Sequence, residues 1–182
     1  MTEKQQNILM TALRLFAEEG FDAIPTSRIA REAGVSEGLI FRHFGNKEGL
    51  LKSIVNHGIA DTEVPIKELS ELEDPNQVME GFFDFVERSL DDPNRFWPLQ
   101  MSLKYQKPEL AAHYDNHPSM QLLNTTLEKA FEKMGYAHPF EERRMVNIML
   151  TGIFLNLSKS PKSEQKQFIQ FIKNKYQNHA WH

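Results

Sequence analysis

Two short segments of the sequence carry residue types that could do chemistry. Residues 34–38 are Gly-Val-Ser-Glu-Gly, the G-x-S-x-G spacing that in hydrolases presents a nucleophilic serine on a strained turn between a strand and a helix. His113 and His117 are four residues apart, a spacing at which one helix face can offer two metal ligands. Helical patterns flank Ser36 on both sides, which disfavours a hydrolase, and residues 114–118 are typical of a helix end, which favours a surface histidine pair. We therefore expect neither an enzyme nor a metal or cofactor site.

Basic residues are a third feature with chemical consequences, because nucleic-acid-binding proteins usually carry a basic patch. The whole chain has a net charge of −4, yet residues 26–47 contain four basic and two acidic residues. The basic residues of this segment are Arg28, Arg31, Arg42 and Lys47, and His43 can add to their charge. The rest of the chain is correspondingly acidic. This asymmetry favours a small DNA-binding head on a larger acidic body.

The elements that position these residues are predicted to be helices. Apolar residues recur at the 3.6-residue spacing of a helix face and strand alternation is nearly absent, so the sequence predicts an all-α protein. A first helix over residues 3–18 ends at Gly20, and helices over 26–33 and 37–44 are joined by a Gly-Val-Ser turn. Helix, glycine-containing turn and short helix form the helix-turn-helix pattern. The second helix of such a pair enters the major groove and presents its N-terminal residues to base edges.

A larger helical body is predicted to follow this head. Residues 61–76 are polar and acidic and contain Pro65 and Pro75, so we predict a loop or a frayed helix end there. The sequence therefore predicts two domains, a DNA-binding head over residues 1–46 and a body over residues 47–182. The predicted helices of the body begin at Lys47 and then cover about 76–91, 94–106, 119–135, 139–158 and 163–177.

Length and composition narrow the class of protein further. The chain has 182 residues and no cysteine, which excludes a disulfide framework and a cysteine-based metal site. No apolar run approaches the ~18 residues that a membrane span needs, and no charged segment followed by an apolar one marks a signal peptide. We expect a cytoplasmic protein that does not interact with membranes.

The helix-turn-helix segment resembles a known family. Residues 29–44 are Ile-Ala-Arg-Glu-Ala-Gly-Val-Ser-Glu-Gly-Leu-Ile-Phe-Arg-His-Phe, and this stretch is similar to the N-terminal domain of the TetR family of regulators. The resemblance covers about residues 5–52 without a gap, whereas the rest of the chain matches only in the number and length of its helices. Outside the central stretch, the residues that match the family pattern are Ala12, Leu13, Phe16, Gly20, Lys47, Glu48 and Leu50.

The resemblance implies a set of DNA contacts. Ser36 would cap the recognition helix with its backbone near a phosphate, and Glu37, Gly38 and Leu39 would lie nearest the bases. Because Gly38 has no side chain, it lets the backbone approach closely, and the methyl groups of Leu39 could contact a thymine methyl group. The implied phosphate contacts, which fix position without reading sequence, are Arg42, His43 and Lys47.

Two positions in the DNA-binding segment depart from the family pattern. Phe41 occupies a position that the family usually fills with tyrosine, so a hydroxyl that could reach a phosphate is absent. Pro25 lies where the family often has a hydroxyl residue that caps the second helix, and Thr26 or Ser27 could supply that cap instead. We include Phe41, Thr26 and Ser27 among the candidate DNA-binding residues.

Large side chains are concentrated in residues 79–105, and apolar pockets between helices are a common form of ligand site. We expect some of these side chains to line a cavity for a small, mainly apolar ligand, with the Trp97 N–H or the Tyr105 hydroxyl as a polar anchor. The alternative is that all of them fill the core. The candidate ligand-binding residues are Phe82, Phe85, Phe96, Trp97, Met101 and Tyr105.

Residues 119–134 and 139–158 are predicted to form two long helices with apolar stripes. Such helices can pair with their symmetry mates in a four-helix bundle, and the resemblance to the TetR family implies a homodimer built in this way. Gly152 would permit a close approach of the paired helices. The alternative is that both stripes are buried inside one chain.

We interpret the sequence as that of a homodimeric transcriptional regulator that binds a near-palindromic operator in double-stranded DNA. The usual behaviour of the family is repression relieved by a ligand, and activation is an alternative. The ligand would shift the population between two separations of the heads. A second hypothesis is a helix-turn-helix protein controlled by a protein partner, and a cavity in the body, or its absence, would distinguish the two.

Overall fold

The computed structural model describes residues 1–92 and 96–177, except for the side chains of Lys104, Tyr105, Pro108 and Ala111. Within these residues the chain forms ten α-helices and one 3₁₀ helix, and no strand, which confirms the all-α prediction. The α-helices are α1 (Glu3–Glu19), α2 (Thr26–Glu32), α3 (Glu37–Phe44), α4 (Lys47–Ser70), α5 (Pro75–Leu90), α6 (Phe96–Gln106), α7 (Pro108–Asp115), α8 (Pro118–Lys133), α9 (Pro139–Leu155) and α10 (Lys162–Gln177); the 3₁₀ helix is Leu157–Lys159.

Local side-chain bonds fix the ends of several helices. α1 begins with a capping box, in which the Gln5 N–H donates to the Thr2 hydroxyl at 3.3 Å and the Thr2 N–H donates to the Gln5 side chain at 2.7 Å. It ends at Gly20, whose φ of +88° is a backbone conformation that residues with a Cβ rarely adopt. At the start of α8, the Ser119 N–H donates to Nδ1 of His117 at 3.3 Å. His117 is therefore the N-cap of a helix, a role that the sequence pattern did not reveal.

The segment predicted as a loop or a frayed helix end, residues 61–76, is helical over most of its length, and only residues 71–74 lie between α4 and α5. α4 continues through Pro65 to Ser70, although proline removes one backbone hydrogen bond and crowds the preceding turn. Ile66 and Leu69 are buried, and the burial of such side chains offsets the cost of the proline. α7 was not predicted from the sequence.

One compact unit comprises residues 1–61 and 92–110. Within it α6 packs against α1, and α1 packs against α2. α6 also lies close to α4, since a Cβ atom built on Gly58 would be only 2.0 Å from Cζ of Phe96. This unit therefore joins the helix-turn-helix segment to a helix from much later in the chain. Its largest buried side chains include Ile8, Leu9, Leu15, Phe16, Ile24, Ile29 and Ile40.

The second compact unit comprises residues 62–91 and 111–182. α8 packs against both α5 and α9, and α10 packs against α5. An aromatic cluster joins three of these helices: the ring centroids of Phe83 and Phe131 lie 5.9 and 5.4 Å from that of Tyr176, and Tyr136 is 5.2 Å from Phe131. Burial, aided by the charge of Glu142, raises the pKa of the Tyr176 hydroxyl. The predicted division of the chain after residue 46 stays a prediction.

Candidate nucleic-acid interface

The turn between α2 and α3 is held by both backbone and side-chain bonds. Gly34 has a φ of +66°, which the glycine at this position makes possible, and the Val35 N–H donates to the Ala30 carbonyl at 2.9 Å. From α1, the Asn7 side-chain amide donates to the Ala33 carbonyl at 2.8 Å. Ile40 of α3 is fully buried. The angle between α2 and α3 is therefore fixed by contacts on both sides of the turn.

One face of α3 is open. Gly38 is exposed, and a Cβ built on it would meet nothing within 4 Å. Phe41 is 45% exposed, Arg42 is exposed, and Leu39 is half-buried. Ser36, with extended backbone, occupies the N-cap position as predicted. The prediction that its side chain caps the helix was wrong, because its hydroxyl makes no such bond. The first turn of α3 presents Gly38 to any partner.

Three of the predicted contact residues, Thr26, Glu37 and His43, are already engaged in hydrogen bonds within the protein. The Thr26 hydroxyl donates a hydrogen bond to Oε1 of Glu37, across the start of α2 and the start of α3. The Gln5 side-chain amide of α1 donates to Nδ1 of His43 at 3.2 Å. α2 itself begins after Pro25 without a side-chain cap, so the hydroxyl of Thr26 links two helices instead of capping one.

Arg28 of α2 is bound in an ion-pair network. Its guanidinium donates to both carboxylate oxygens of Glu19 at 2.6 and 2.7 Å and to Glu32 at 3.0 Å, while Arg14 donates to Glu32 at 2.6 Å. Hydrogen bonds from Arg14 and Arg28 lower the pKa of the Glu32 carboxyl. Bidentate arginine–carboxylate pairs are among the stronger charge-assisted bonds. We therefore infer that Arg28 joins α1 to α2 and does not contact a ligand.

Lys47, at the start of α4, lies on aromatic rings. Its Nζ is 4.4 Å from the centroid of Phe21 and 5.8 Å from that of Phe16, distances at which a cation is attracted to the ring face. Lys107 stands over the same Phe21 ring, at 4.9 Å. Burial lowers the pKa of Lys47. A phosphate contact by Lys47 therefore requires its ammonium group to turn away from Phe21.

Comparison with known proteins identifies the family of this unit. Residues 8–54 match the model for "Bacterial regulatory proteins, tetR family", which includes α1, α2 and α3 almost completely. Residues 8–54 belong to the TetR family of bacterial regulatory proteins. The resemblance seen in the sequence is thereby confirmed for this segment.

The chain is 32% identical over 121 residues to the HTH-type transcriptional repressor AcnR of Corynebacterium efficiens. The aligned residues cover 64% of this chain and 58% of AcnR. The chain spans between 25% and 60% of the length of the first curated relatives that it matches.

Two solved structures share the fold. The fatty acid degradation regulator FadR from Bacillus halodurans has a TM-score of 0.80 and 20% identity, over 100% of this chain and 98% of FadR. A regulator from Saccharomonospora viridis in complex with choline has a TM-score of 0.77 and 19% identity, over 99% and 98%. At these identities the likeness shows the fold alone.

The six predicted ligand-binding residues do not lie in one compact unit. Phe82 and Phe85 belong to the second compact unit, whereas Phe96, Trp97 and Met101 belong to the first. The side chain of Tyr105 lies outside the described part of the structure. The rings of Phe96 and Trp97 contact each other edge to face at 5.3 Å. A ligand site at these residues stays a prediction.

Gln100 is a candidate that the sequence analysis missed. It is 1% exposed in α6, and its carbonyl oxygen Oε1 has no hydrogen-bond donor among the described residues. A buried acceptor without a donor is costly, and a ligand or water that donates a hydrogen bond would remove that cost. The available signal was a glutamine between Leu99 and Met101 on an otherwise apolar face.

A separate surface cleft of about 410 Å³ lies in the second unit. It is formed by the end of α4, the start of α5 and one side of α8, and it contains none of the predicted ligand-binding residues. In the described part of the chain, no helix is both long and apolar enough to cross a membrane, and no group of three His, Asp or Glu side chains could hold a metal ion.

Lys47 and Lys107 provide a matched test of the DNA interface, because both lie over Phe21. Replacing Lys47 by alanine should lower the slope of log K against log salt concentration by about 0.9 for each phosphate that the protein no longer neutralises. Lys107→Ala removes the same charge from the same ring and should leave the slope unchanged. The measurement is operator affinity by fluorescence anisotropy over a series of salt concentrations. An unchanged slope in Lys47→Ala would remove Lys47 from the interface.

Proposed function

We propose that this protein is a transcriptional regulator, acting as a repressor, that binds a near-palindromic operator as a homodimer and is released or modulated by a small, mainly apolar ligand. The observation that carries the proposal is the open face of α3 on a turn held by Gly34 and Asn7. The name of AcnR as a repressor supports the direction of regulation. Such a protein acts in the cytoplasm, where bacterial DNA lies.

In this proposal the open face of α3 enters the major groove. Gly38 and Leu39 lie against base edges, and Arg42 contacts a phosphate from the exposed side of the helix. His43 and Lys47 reach phosphates after leaving Gln5 and Phe21. The complete set of proposed DNA contacts is Thr26, Ser27, Ser36, Glu37, Gly38, Leu39, Phe41, Arg42, His43 and Lys47.

The exposed apolar side chains of the second unit support a homodimer. Phe140, Met145 and Ile148 of α9 are exposed, as are Phe168 and Phe171 of α10. Exposed apolar side chains concentrated on particular elements mark interaction sites, and a two-fold dimer would place two heads on successive major grooves, about 34–36 Å apart.

The burial of α8 changes the proposed interface. The stripe at Met120, Leu127, Ala130 and Phe131 is buried within the second unit and is therefore unavailable to a second chain. For α8, burial inside one chain is therefore favoured over a place in the dimer interface. We accordingly place the interface on residues 139–155 and 162–177, instead of on 119–134 and 139–158.

A ligand in the body would bias the separation of the two heads. The unpaired Gln100 oxygen supports a ligand that presents an N–H or O–H donor among apolar surroundings. The choline complex of the Saccharomonospora viridis regulator is an example of a small-molecule complex in this fold. Ligand binding that favours one head separation shifts the population toward it.

The experiment that tests this proposal is a genome-wide map of DNA bound by the protein, followed by affinity measurements on the recovered sites. We expect a near-palindromic motif, bound with a steep salt dependence, and release of the DNA by at least one member of a panel of apolar hydrogen-bond donors. Binding without sequence preference would contradict the proposal that the protein is a sequence-specific regulator. If specific binding responds only to a protein partner, the hypothesis of a ligand is wrong and the hypothesis of control by a protein partner is favoured.

A further inference from the structure

The acidic residue Glu37 lies on a surface where DNA binding would favour neutral or basic side chains. It occupies the first turn of α3, where a major-groove helix contacts bases, and a carboxylate there is repelled by phosphates. The other acidic residue of the segment, Glu32, is neutralised by Arg14 and Arg28. Glu37 has no such cationic partner among the described residues; its partner there is the neutral hydroxyl of Thr26.

The bond from Thr26 leaves half of the Glu37 carboxylate free. The hydroxyl donates to Oε1, and Oε2 accepts no hydrogen bond within the described part of the chain. A side chain with three rotatable bonds is thereby tied at one oxygen while it is half-buried. The second oxygen is an acceptor held at the N-terminal end of the recognition helix, beside the open surface of Gly38.

The major groove offers few groups that such an acceptor can use. Guanine presents the acceptors N7 and O6 there, and thymine presents the acceptor O4 and a methyl group. Cytosine presents the donor N4–H₂, and adenine presents a donor beside the acceptor N7. A single carboxylate oxygen is therefore best matched by cytosine, which carries no major-groove acceptor of its own beside the donor.

We propose that Glu37 determines specificity by accepting a hydrogen bond from the exocyclic amino group of a cytosine, and that Thr26 is the positioning residue that holds its carboxylate. The inference rests on the proposed function, since it requires α3 to enter the major groove. It accounts for an acidic side chain on the DNA-facing end of this helix: the carboxylate weakens binding to all sequences and weakens it least where it meets a cytosine.

The test replaces Glu37 by glutamine and selects sites from a randomised operator library. The wild-type protein should prefer cytosine at one position of each half-site by roughly 5- to 150-fold, the range for one good base contact. Glu37→Gln should prefer adenine at that position, because an amide can accept from N6 and donate to N7. Affinity for non-cognate DNA should rise at the same time, since a negative charge has been removed.

Three matched variants separate base reading from charge and from folding. Glu48→Gln removes an exposed carboxylate from α4 and should raise general affinity without changing any base preference. Thr26→Val keeps the shape of the side chain but lacks the hydroxyl, and it should reduce the cytosine preference several-fold. Thr26→Ser should restore it. A Thr26 that contributed only to stability would change total affinity and not the ratio between bases.

The outcomes distinguish this inference from the proposed function. If the wild-type protein selects no sequence, the proposed function fails. If it selects a clear operator and Glu37→Gln keeps the same base at every position, Glu37 does not read DNA and the inference is wrong. A switch from cytosine to adenine that appears equally in Glu48→Gln would also overturn it.

Discussion

The substitution Ile148→Glu should convert the protein into monomers that bind the full operator roughly 100- to 10,000-fold more weakly. This is the range expected when two linked binding events become independent. Ile148 is 69% exposed within one chain, so the substitution does not disturb the core of the second unit. In the proposed dimer the same side chain is covered, and an unpaired charge buried there would prevent association.

Analytical ultracentrifugation and operator affinity measure this effect together. Gln77→Glu introduces the same charge at an exposed position of α5 and should leave both the dimer and the affinity intact. Phe171→Glu and Leu122→Glu then compare α10 with α8, and we expect dissociation only for the first. An Ile148→Glu protein that remains dimeric at nanomolar concentration would move the interface away from α9.

Replacing Phe131 by alanine should lower the free energy of unfolding by about 3–5 kcal/mol, the usual cost of removing a buried phenylalanine ring. Phe131 is 0% exposed and contacts the rings of both Tyr136 and Tyr176. Removal of the ring would leave a cavity where α8 faces the aromatic cluster. Chemical denaturation followed by circular dichroism measures the change.

Phe171→Ala is the matched control, because it removes the same atoms from a side chain that is 63% exposed. Its effect on the unfolding of one chain should stay within about 0.5 kcal/mol. Repeating both measurements at two protein concentrations separates any contribution of Phe171 to the dimer, since only that contribution depends on concentration. Equal destabilisation in the two variants would contradict the placement of Phe131 in the core.

The sequence by itself determined the helix-turn-helix segment. Its signals are local: the apolar spacing of α1, α2 and α3 and the glycine that permits a positive φ at residue 34 both act within a few residues. The same locality explains why residues 29–44 carried the family resemblance, which the match over residues 8–54 confirmed. The all-α class followed from the same periodicity.

The tertiary structure decided what the local pattern could not. α4 continues through Pro65 because Ile66 and Leu69 find apolar neighbours, and the sequence shows only the proline. The apolar stripe of residues 119–134 faces the inside of its own unit, although its spacing is equally compatible with a dimer interface. Periodicity predicts that a face is covered, but not by which element.

The interaction partners of the polar and charged side chains were the feature that the tertiary structure decided most. Gln5 and His43 are 38 residues apart and share a hydrogen bond, Lys47 lies over Phe21, and Thr26 holds Glu37. Side chains of one polar type can serve equally well as DNA contacts, caps or ion pairs. The sequence therefore determined that residues 26–47 form a helix-turn-helix with an excess of basic residues, whereas the packing of α1, α2 and α3 decided which of their polar groups are free. The physical reason is that a hydrogen bond forms only between atoms that the fold brings within about 3 Å.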